Sequence, residues 1–324
     1  MRELTQLTSI TRRIIRQTRT VTGPTYGWLV ANSWREKVGQ EIEPSSWDEC
    51  AALLLRSGGE ETIYRGHGHY DWQLHSSLER ALLQRARQWD DRKYQVMRSP
   101  VADAQTAEWA RNLEQKQTLS FQRNAVMLEV PGLPKPWDTV GWWEVMQHHR
   151  APTRLIDWTT SPFIALWFAL DGHKDGNGDM ALWVFDCRIG TRNHTEAVAK
   201  LNASEGHDQL DGRRALNLYV KLALEDGNPA LIPMQPRQFP RAVAQQSMLT
   251  VSPSISTSLS SHEWIRRKLA TRIRLREEWK ADMIAACLSM GLSQSVLFRD
   301  LDSLGAAFAR TLDGSAGDLV ETPQ

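Results

Sequence analysis

Apolar residues recur along this chain of 324 residues with two different spacings. Spacing typical of amphipathic helices covers the ranges 76–98, 103–128, 142–149 and 211–224. Shorter apolar or alternating stretches, typical of strands, cover the ranges 61–65, 181–185, 242–251 and 269–275. Strands and helices do not alternate regularly, as they would in a doubly wound sheet. The pattern therefore predicts a single α+β domain with a central, mostly antiparallel sheet and helical insertions.

Local residue choices mark where several helices begin and end. Ser46 followed by Glu49 has capping-box spacing, so a helix is predicted to begin there and to stop at Gly58 and Gly59. Pro162 suits the first residue of a helix that continues to Ala169. Apolar residues from 279 to 290 mark one further helix face, which ends before the glycine at 291.

Composition narrows the classes of protein that this chain can belong to. A hydrophobic fraction of 41% and a charged fraction of 24% are ordinary globular values. The net charge of +1 gives no whole-molecule attraction to nucleic acid or to an anionic membrane. No run of about 18 apolar residues is present, so we expect no membrane span. Three widely separated cysteines predict neither a disulfide framework nor a metal site, and they favour a reducing cytoplasm.

Two polar segments rich in Arg, His, Asp and Trp are the strongest candidates for a site. The first runs from 64 to 72 (YRGHGHYDW) and the second from 147 to 162 (QHHRAPTRLIDWTTSP). Such residues, crowded on short loops, are typical of a site carried by a scaffold. Arg65 ends a predicted strand and can bind a phosphate or carboxylate through two hydrogen bonds, while Gly66 would let a ligand approach the backbone. His148 is a candidate acid or base near neutral pH.

These segments resemble the FRG domain, a bacterial and phage family. Further matching stretches are WQLHSSLER at 72–80, RAVAQQ at 241–246 and SVLFRDLD at 295–302. The resemblance covers roughly residues 42–308, which leaves an N-terminal extension at 1–41 and a tail at 309–324 predicted to be disordered. The chain has Arg150 and Ser247 where the family usually has glycine, and Arg299 where it has proline. Arg150 in place of glycine predicts a rebuilt turn and brings its guanidinium among the candidate site groups.

The order of the elements is similar to that of ADP-ribosyltransferase folds, and this similarity implies NAD as the cofactor. It assigns catalysis to His148, Asp157 and Gln245. Binding of the nucleotide would fall to Arg65, Gly66, Gln147 and Arg154. A wall for the nicotinamide would come from Trp158, Thr159, Thr160 and Ser161. The resemblance further implies an effector of phage defence or of a toxin system, and it does not say whether the acceptor is a protein or a nucleic acid. No HxxxH-type or paired-carboxylate spacing is present, so no metal is expected.

Several alternatives stay open at this point. An amide at Gln245 cannot supply the negative charge that a ribosyl cation needs, so either Asp157 or Glu263 takes that part, or the protein only binds the nucleotide. Arg154 and Asp157 could instead form a buried ion pair that fixes the loop. The other functions that the residues allow are a hydrolase or nuclease toxin that uses a histidine base, and a non-catalytic module that senses a ligand or binds a partner.

Overall fold

The computed structural model describes residues 41–57, 62–89, 104–187 without 175 and 177, 212–225, 240–252 and 270–298, together with the single positions 199 and 305. The predicted extension, apart from residue 41, and the predicted tail lie outside these residues. Glu263 lies outside them as well.

One six-stranded sheet forms the centre of the protein, in the order β1-β6-β4-β2-β3-β5. The strands are β1 (Glu41–Ile42), β2 (Thr62–His67), β3 (Leu155–Thr159), β4 (Met180–Asp186), β5 (Ser247–Val251) and β6 (Ala270–Leu275). Only β1 pairs in parallel, with β6, and every other neighbouring pair is antiparallel. The predicted α+β fold with a mostly antiparallel sheet is therefore confirmed.

The helices are α1 (Trp47–Arg56), α2 (Ser77–Trp89), α3 (Ala104–Met127), α4 (Thr139–His148), α5 (Pro162–Asp171), α6 (Gly212–Glu225), α7 (Pro240–Ala244), α8 (Lys280–Ser289) and α9 (Gln294–Leu297). Side chains cap several of them, and the sequence predicted the cap at Ser46. The Ser46 hydroxyl accepts from the Glu49 amide at the start of α1, and the Ser161 hydroxyl accepts from the Ile164 amide at the start of α5. These caps stabilise helix ends at the points where the chain enters from the sheet.

Both faces of the sheet are covered, because successive residues of β4 point into different cores. Leu182 and Val184 belong to a cluster that includes α5 and α8, whereas Trp183 and Phe185 belong to a cluster on the other face. All seven residues of β4 are buried, as expected for the central strand of a covered sheet. The three cysteines are free and buried.

Two predictions about elements are wrong. Residues 155–159 were predicted as a loop but form β3, with Leu155, Ile156, Trp158 and Thr159 buried and Asp157 exposed. Residues 242–244 were predicted as strand but belong to α7, and the strand begins only at Ser247. At 155–159 the exposed Asp157 interrupts the apolar pattern, whereas at 242–244 the run Ala-Val-Ala is apolar but its Val243 is exposed on a short helix.

The sheet is weakly joined at one position. β2 pairs with β4 over six residues, and β3 pairs with β5 over five, but β2 and β3 pair only through Tyr64 and Thr159. Beyond this pair the two strands diverge. The divergence divides the sheet into β1-β6-β4-β2 and β3-β5, and it opens the space in which the candidate site lies.

Candidate functional site

A cavity of about 640 Å³ lies where β2 and β3 diverge. This volume is within the usual range for small-molecule sites. It brings together eight residues that the sequence proposed for catalysis or cofactor binding: Arg65, Gly66, Gln147, His148, Asp157, Trp158, Thr159 and Gln245. The other three proposed residues, Arg154, Thr160 and Ser161, do not line it.

Asp157 is held at the edge of the cavity from two sides. Its Oδ1 accepts from the Gln147 amide nitrogen at 2.7 Å, and its backbone oxygen accepts from Arg65 Nη1 at 2.6 Å. The Gln147 carbonyl in turn accepts from the Thr153 hydroxyl, which fixes the orientation of the amide. No group in the described part of the chain donates to Oδ2 of Asp157. An exposed carboxylate thus has one oxygen anchored and one available.

Arg65 is partly buried and is held by β3 and by a histidine. Its Nε donates to Nε2 of His67 at 3.1 Å, while Nη1 binds the Asp157 carbonyl. Because Nε2 of His67 accepts, the proton of the neutral ring lies on Nδ1, which donates to the Trp72 carbonyl at 3.2 Å. Burial lowers the pKa of Arg65, and the nearby Asp157 charge opposes this effect. Within the described residues, no protein group accepts from Nη2.

His67 gives the folded protein a distinct pH dependence. Burial, reinforced by the Arg65 charge, lowers its pKa from 6.5 to about 3. Between these two pH values the unfolded chain binds a proton at His67 and the folded chain does not. The free energy of unfolding therefore falls as the pH falls through this range. We expect wild type to lose about 1.4 kcal/mol per pH unit more than His67→Gln between about pH 6 and pH 4. Urea unfolding at several pH values measures this difference, and parallel curves for both proteins would contradict it.

Gly66 allows α5 to pack closely against β2, a role that the sequence interpretation did not give it. A Cβ at this position would lie 1.9 Å from the Ala165 oxygen and 2.5 Å from the Ala169 nitrogen. The backbone of α5 therefore occupies the space that a side chain would need. Gly66 still lines the cavity, and its missing side chain sets how closely α5 lies against β2.

Arg154 does not line the cavity, and its ion-pair partner is Glu114 rather than Asp157. Its Nε donates to Glu114 Oε1 at 2.6 Å, and Nη2 binds the second oxygen of the same carboxylate. Nη1 donates to the Ser252 carbonyl at 3.3 Å, and the guanidinium lies over the Trp143 ring. Both members of this ion pair are buried, and Glu114 comes from α3. The alternative in which Arg154 and Asp157 form a buried ion pair is therefore wrong.

The aromatic wall of the cavity does not come from Trp158 alone. The Trp158 ring packs in the core against Phe185, and its nitrogen donates to the Thr250 hydroxyl. Phe168 and Phe298 also line the cavity, with their rings in an edge-to-face arrangement at 6.1 Å. The Arg241 guanidinium lies 4.5 Å from the centre of the Phe298 ring. Two phenylalanine rings, one of them with a cation over its face, thus form one side of the cavity.

The remaining predicted residues hold the surrounding backbone. The Thr160 amide and hydroxyl donate to Gln246, which connects the end of β3 to the start of β5, and Ser161 caps α5. The Gln245 amide donates to the Leu297 carbonyl at 3.2 Å, so this predicted catalytic group ties α7 to α9 while lining the cavity. His148 is partly buried, with its ring 5.0 Å from that of His149.

Several cavity residues were not found from the sequence, including Glu144, Asp171, Arg241 and Phe298. Glu144 precedes His148 by one helical turn, so helical spacing alone could have placed it on the same face. Its oxygens accept from Arg213 at 2.7 and 3.2 Å, and the same guanidinium also binds Asp138. Arg241 and Phe298 come from distant segments, and no local pattern indicates that they meet.

Arg150 occupies a position that normally favours glycine. It follows the end of α4 with φ of 61°, its amide donates to the Gln147 carbonyl, and the Ala151 amide donates to the Met146 carbonyl. These two bonds define a Schellman motif, whose left-handed residue is usually glycine. A side chain there costs about 1 kcal/mol. The prediction of a rebuilt turn is therefore wrong, since Arg150 adopts the left-handed turn and lines the cavity.

Comparison with known protein families agrees with the sequence resemblance. Residues 60–178 match the family model of the FRG domain, so the chain carries an FRG domain, and that prediction is confirmed. The matched range includes β2, α4, β3 and α5, which together supply most of the cavity. No protein of curated function and no solved structure matches the chain.

Among the described residues, no helix is both long and apolar enough to cross a membrane. The same residues contain no group of three or more His, Cys, Asp or Glu side chains that could hold a metal ion.

Proposed function

We propose that the cavity binds NAD or a related nucleotide, and that the protein is an ADP-ribosyltransferase-like effector in phage defence or a toxin system. One observation carries this proposal. Arg65 and Asp157 are held together at the divergence of β2 and β3, inside a cavity of nucleotide size. The anchor and the carboxylate that the chemistry needs are thus adjacent.

Arg65 is the proposed anchor for a phosphate. Its Nε and Nη1 are fixed by His67 and by the Asp157 backbone, so the guanidinium plane is oriented before a ligand arrives. Nη2 has no partner among the described residues and can donate to a phosphate oxygen. A charge-assisted hydrogen bond from a preorganised group is worth more than a neutral one, because little further ordering is needed.

Asp157 is the proposed catalytic carboxylate. In transfer, the bond between the ribose carbon and the nicotinamide nitrogen breaks, and nicotinamide leaves with the electron pair. The lone pair of an acceptor nucleophile forms the new bond to the same carbon. The available oxygen of Asp157 can stabilise the positive charge that develops on the ribose, and His148 can accept the proton that the nucleophile loses. Asp157 replaces Gln245 in this part, since the Gln245 amide binds Leu297.

The apolar side of the cavity suits the planar rings of the nucleotide. Phe168 and Phe298 present their rings there, and Arg241 covers one of them. Aromatic side chains bind flat rings by stacking or edge contacts. The sequence interpretation placed this wall on the segment from Trp158 to Ser161; we now assign it to the two phenylalanines.

Calorimetry with NAD tests the binding step. Wild type should bind with measurable heat, and Arg65→Ala should bind at least about tenfold more weakly, since a charge-assisted bond contributes about 1.5–3 kcal/mol. Arg123→Ala is the matched control, because Arg123 is exposed on α3 and does not line the cavity. It should bind as wild type does. Equal affinity in all three proteins, or no heat from wild type, would contradict the proposal.

Labelled NAD, supplied with a mixture of protein and nucleic acid, tests the chemical step. Asp157→Asn should retain binding but lose transfer of the label, because an amide keeps the shape and removes the charge. Release of free product without labelled acceptor, abolished by His148→Ala and not by Asp157→Asn, would instead favour a histidine-based hydrolase. Binding without any turnover would favour the ligand-sensing module.

A further inference from the structure

Arg150 carries a charge at a position where the backbone favours glycine, and no structural contact explains it. Its side chain is exposed and lines the cavity. Across the described parts of the chain, no carboxylate pairs with this guanidinium. Its backbone amide makes the bond that the turn requires, and glycine would make the same bond without strain. The fold thus contains a strained residue whose side chain forms no stabilising hydrogen bond or ion pair with the described residues.

Backbone strain of this kind is concentrated at functional sites, where the side chain does something that the unstrained residue cannot. Two other described residues outside glycine have positive φ, Glu129 at 52° and Gln246 at 46°. The Gln246 side chain accepts from the Thr160 hydroxyl, so it has a structural role. Glu129 lies at the end of α3, away from the cavity lining. Arg150 is the one of the three that lines the cavity, and this is where its charge can act.

We propose that Arg150 is a specificity-determining residue that binds a phosphate of the ligand at the rim of the cavity. This inference rests on the nucleotide-binding function proposed above. Arg65 is partly buried on β2, whereas Arg150 is exposed beyond the end of α4, so the two cations lie at different depths. A ligand that contacts both needs anionic groups at two places, as a dinucleotide diphosphate has. A guanidinium recognises such oxygens through two directed hydrogen bonds.

Stability and affinity should change in opposite directions when Arg150 becomes glycine. Arg150→Gly removes strain, so its Tm should rise by a few degrees, and its Kd for NAD should increase about tenfold, because a charge-assisted contact is lost. Arg150→Gln keeps the strain and removes the charge, so it should show the same tenfold loss without the gain in Tm. Because the contact is exposed, the loss should shrink at high salt.

Glu129→Gly is the matched control. Glu129 is also charged, exposed and left-handed, but it does not line the cavity. This variant should gain Tm as Arg150→Gly does and keep the wild-type Kd. Measuring Tm by thermal unfolding and Kd for NAD by calorimetry on the full chain gives both quantities for all four proteins.

The outcomes separate this inference from the proposed function. Unchanged NAD affinity in Arg150→Gly and Arg150→Gln, with wild-type binding still sensitive to Arg65→Ala, would overturn the role of Arg150 and leave the nucleotide site in place. Failure of wild type to bind NAD would overturn both. A tenfold loss in the two Arg150 variants, with none in Glu129→Gly, supports the assignment.

Discussion

Replacing Arg154 with methionine should lower the free energy of unfolding by about 3–5 kcal/mol. The change removes both guanidinium bonds to Glu114 and leaves that buried carboxylate without its counter-charge. It also removes the bond to the Ser252 carbonyl and the contact with the Trp143 ring. Denaturant unfolding followed by circular dichroism measures the loss.

A second substitution distinguishes the ion pair from simple packing. Adding Glu114→Leu to Arg154→Met removes the stranded charge, so the double variant should recover most of the lost stability, since an apolar pair of similar volume can replace a buried ion pair at little cost. If the loss in the double variant equals the sum of the losses in Arg154→Met and Glu114→Leu alone, the two charges do not interact. A loss under about 1 kcal/mol in Arg154→Met would contradict the structural role.

Replacing Gly66 with alanine should destabilise the protein by at least about 3 kcal/mol. The added carbon would meet the backbone of α5, at 1.9 Å from the Ala165 oxygen, and backbone cannot move aside as a flexible side chain can. β2 and α5 would have to separate, and the core between them would open. The midpoint of denaturant unfolding and the yield of folded protein measure the effect.

Gly172→Ala is the matched control for this substitution. An alanine Cβ there would come no closer than 3.2 Å to the Phe168 oxygen, and the backbone has an ordinary right-handed conformation. Its cost should stay below about 1 kcal/mol. Similar losses in both variants would mean that loss of glycine flexibility, rather than the contact with α5, determines the effect at Gly66.

The sequence predicted the elements whose cause is local. The start of α1 at Ser46 and the start of α5 at Pro162 depend on residues within one helical turn, and both are observed. The buried strand at 181–185 was predicted because an apolar run of that length is typical of a buried strand. The antiparallel character of the sheet followed from the absence of regular strand-helix alternation.

The parts that could not be predicted depend on contacts between distant segments. β3 was missed because the exposed Asp157 interrupts its apolar pattern, and its partner β5 lies about ninety residues away. The pairing of Arg154 with Glu114 spans forty residues, and charge alone does not choose between Glu114 and Asp157. Eight of the proposed site residues nevertheless line one cavity, since polar side chains at strand ends are visible in the sequence.

The single pairing of Tyr64 with Thr159 has a mechanical consequence. Because so few backbone bonds cross the boundary between β2 and β3, we expect β3 and β5 to open as one unit at a lower free energy than the rest of the sheet. A molecule held by Arg65 on one side and by Asp157 on the other would bridge this line. It would then connect the two parts of the sheet, so ligand binding should make the whole sheet more rigid.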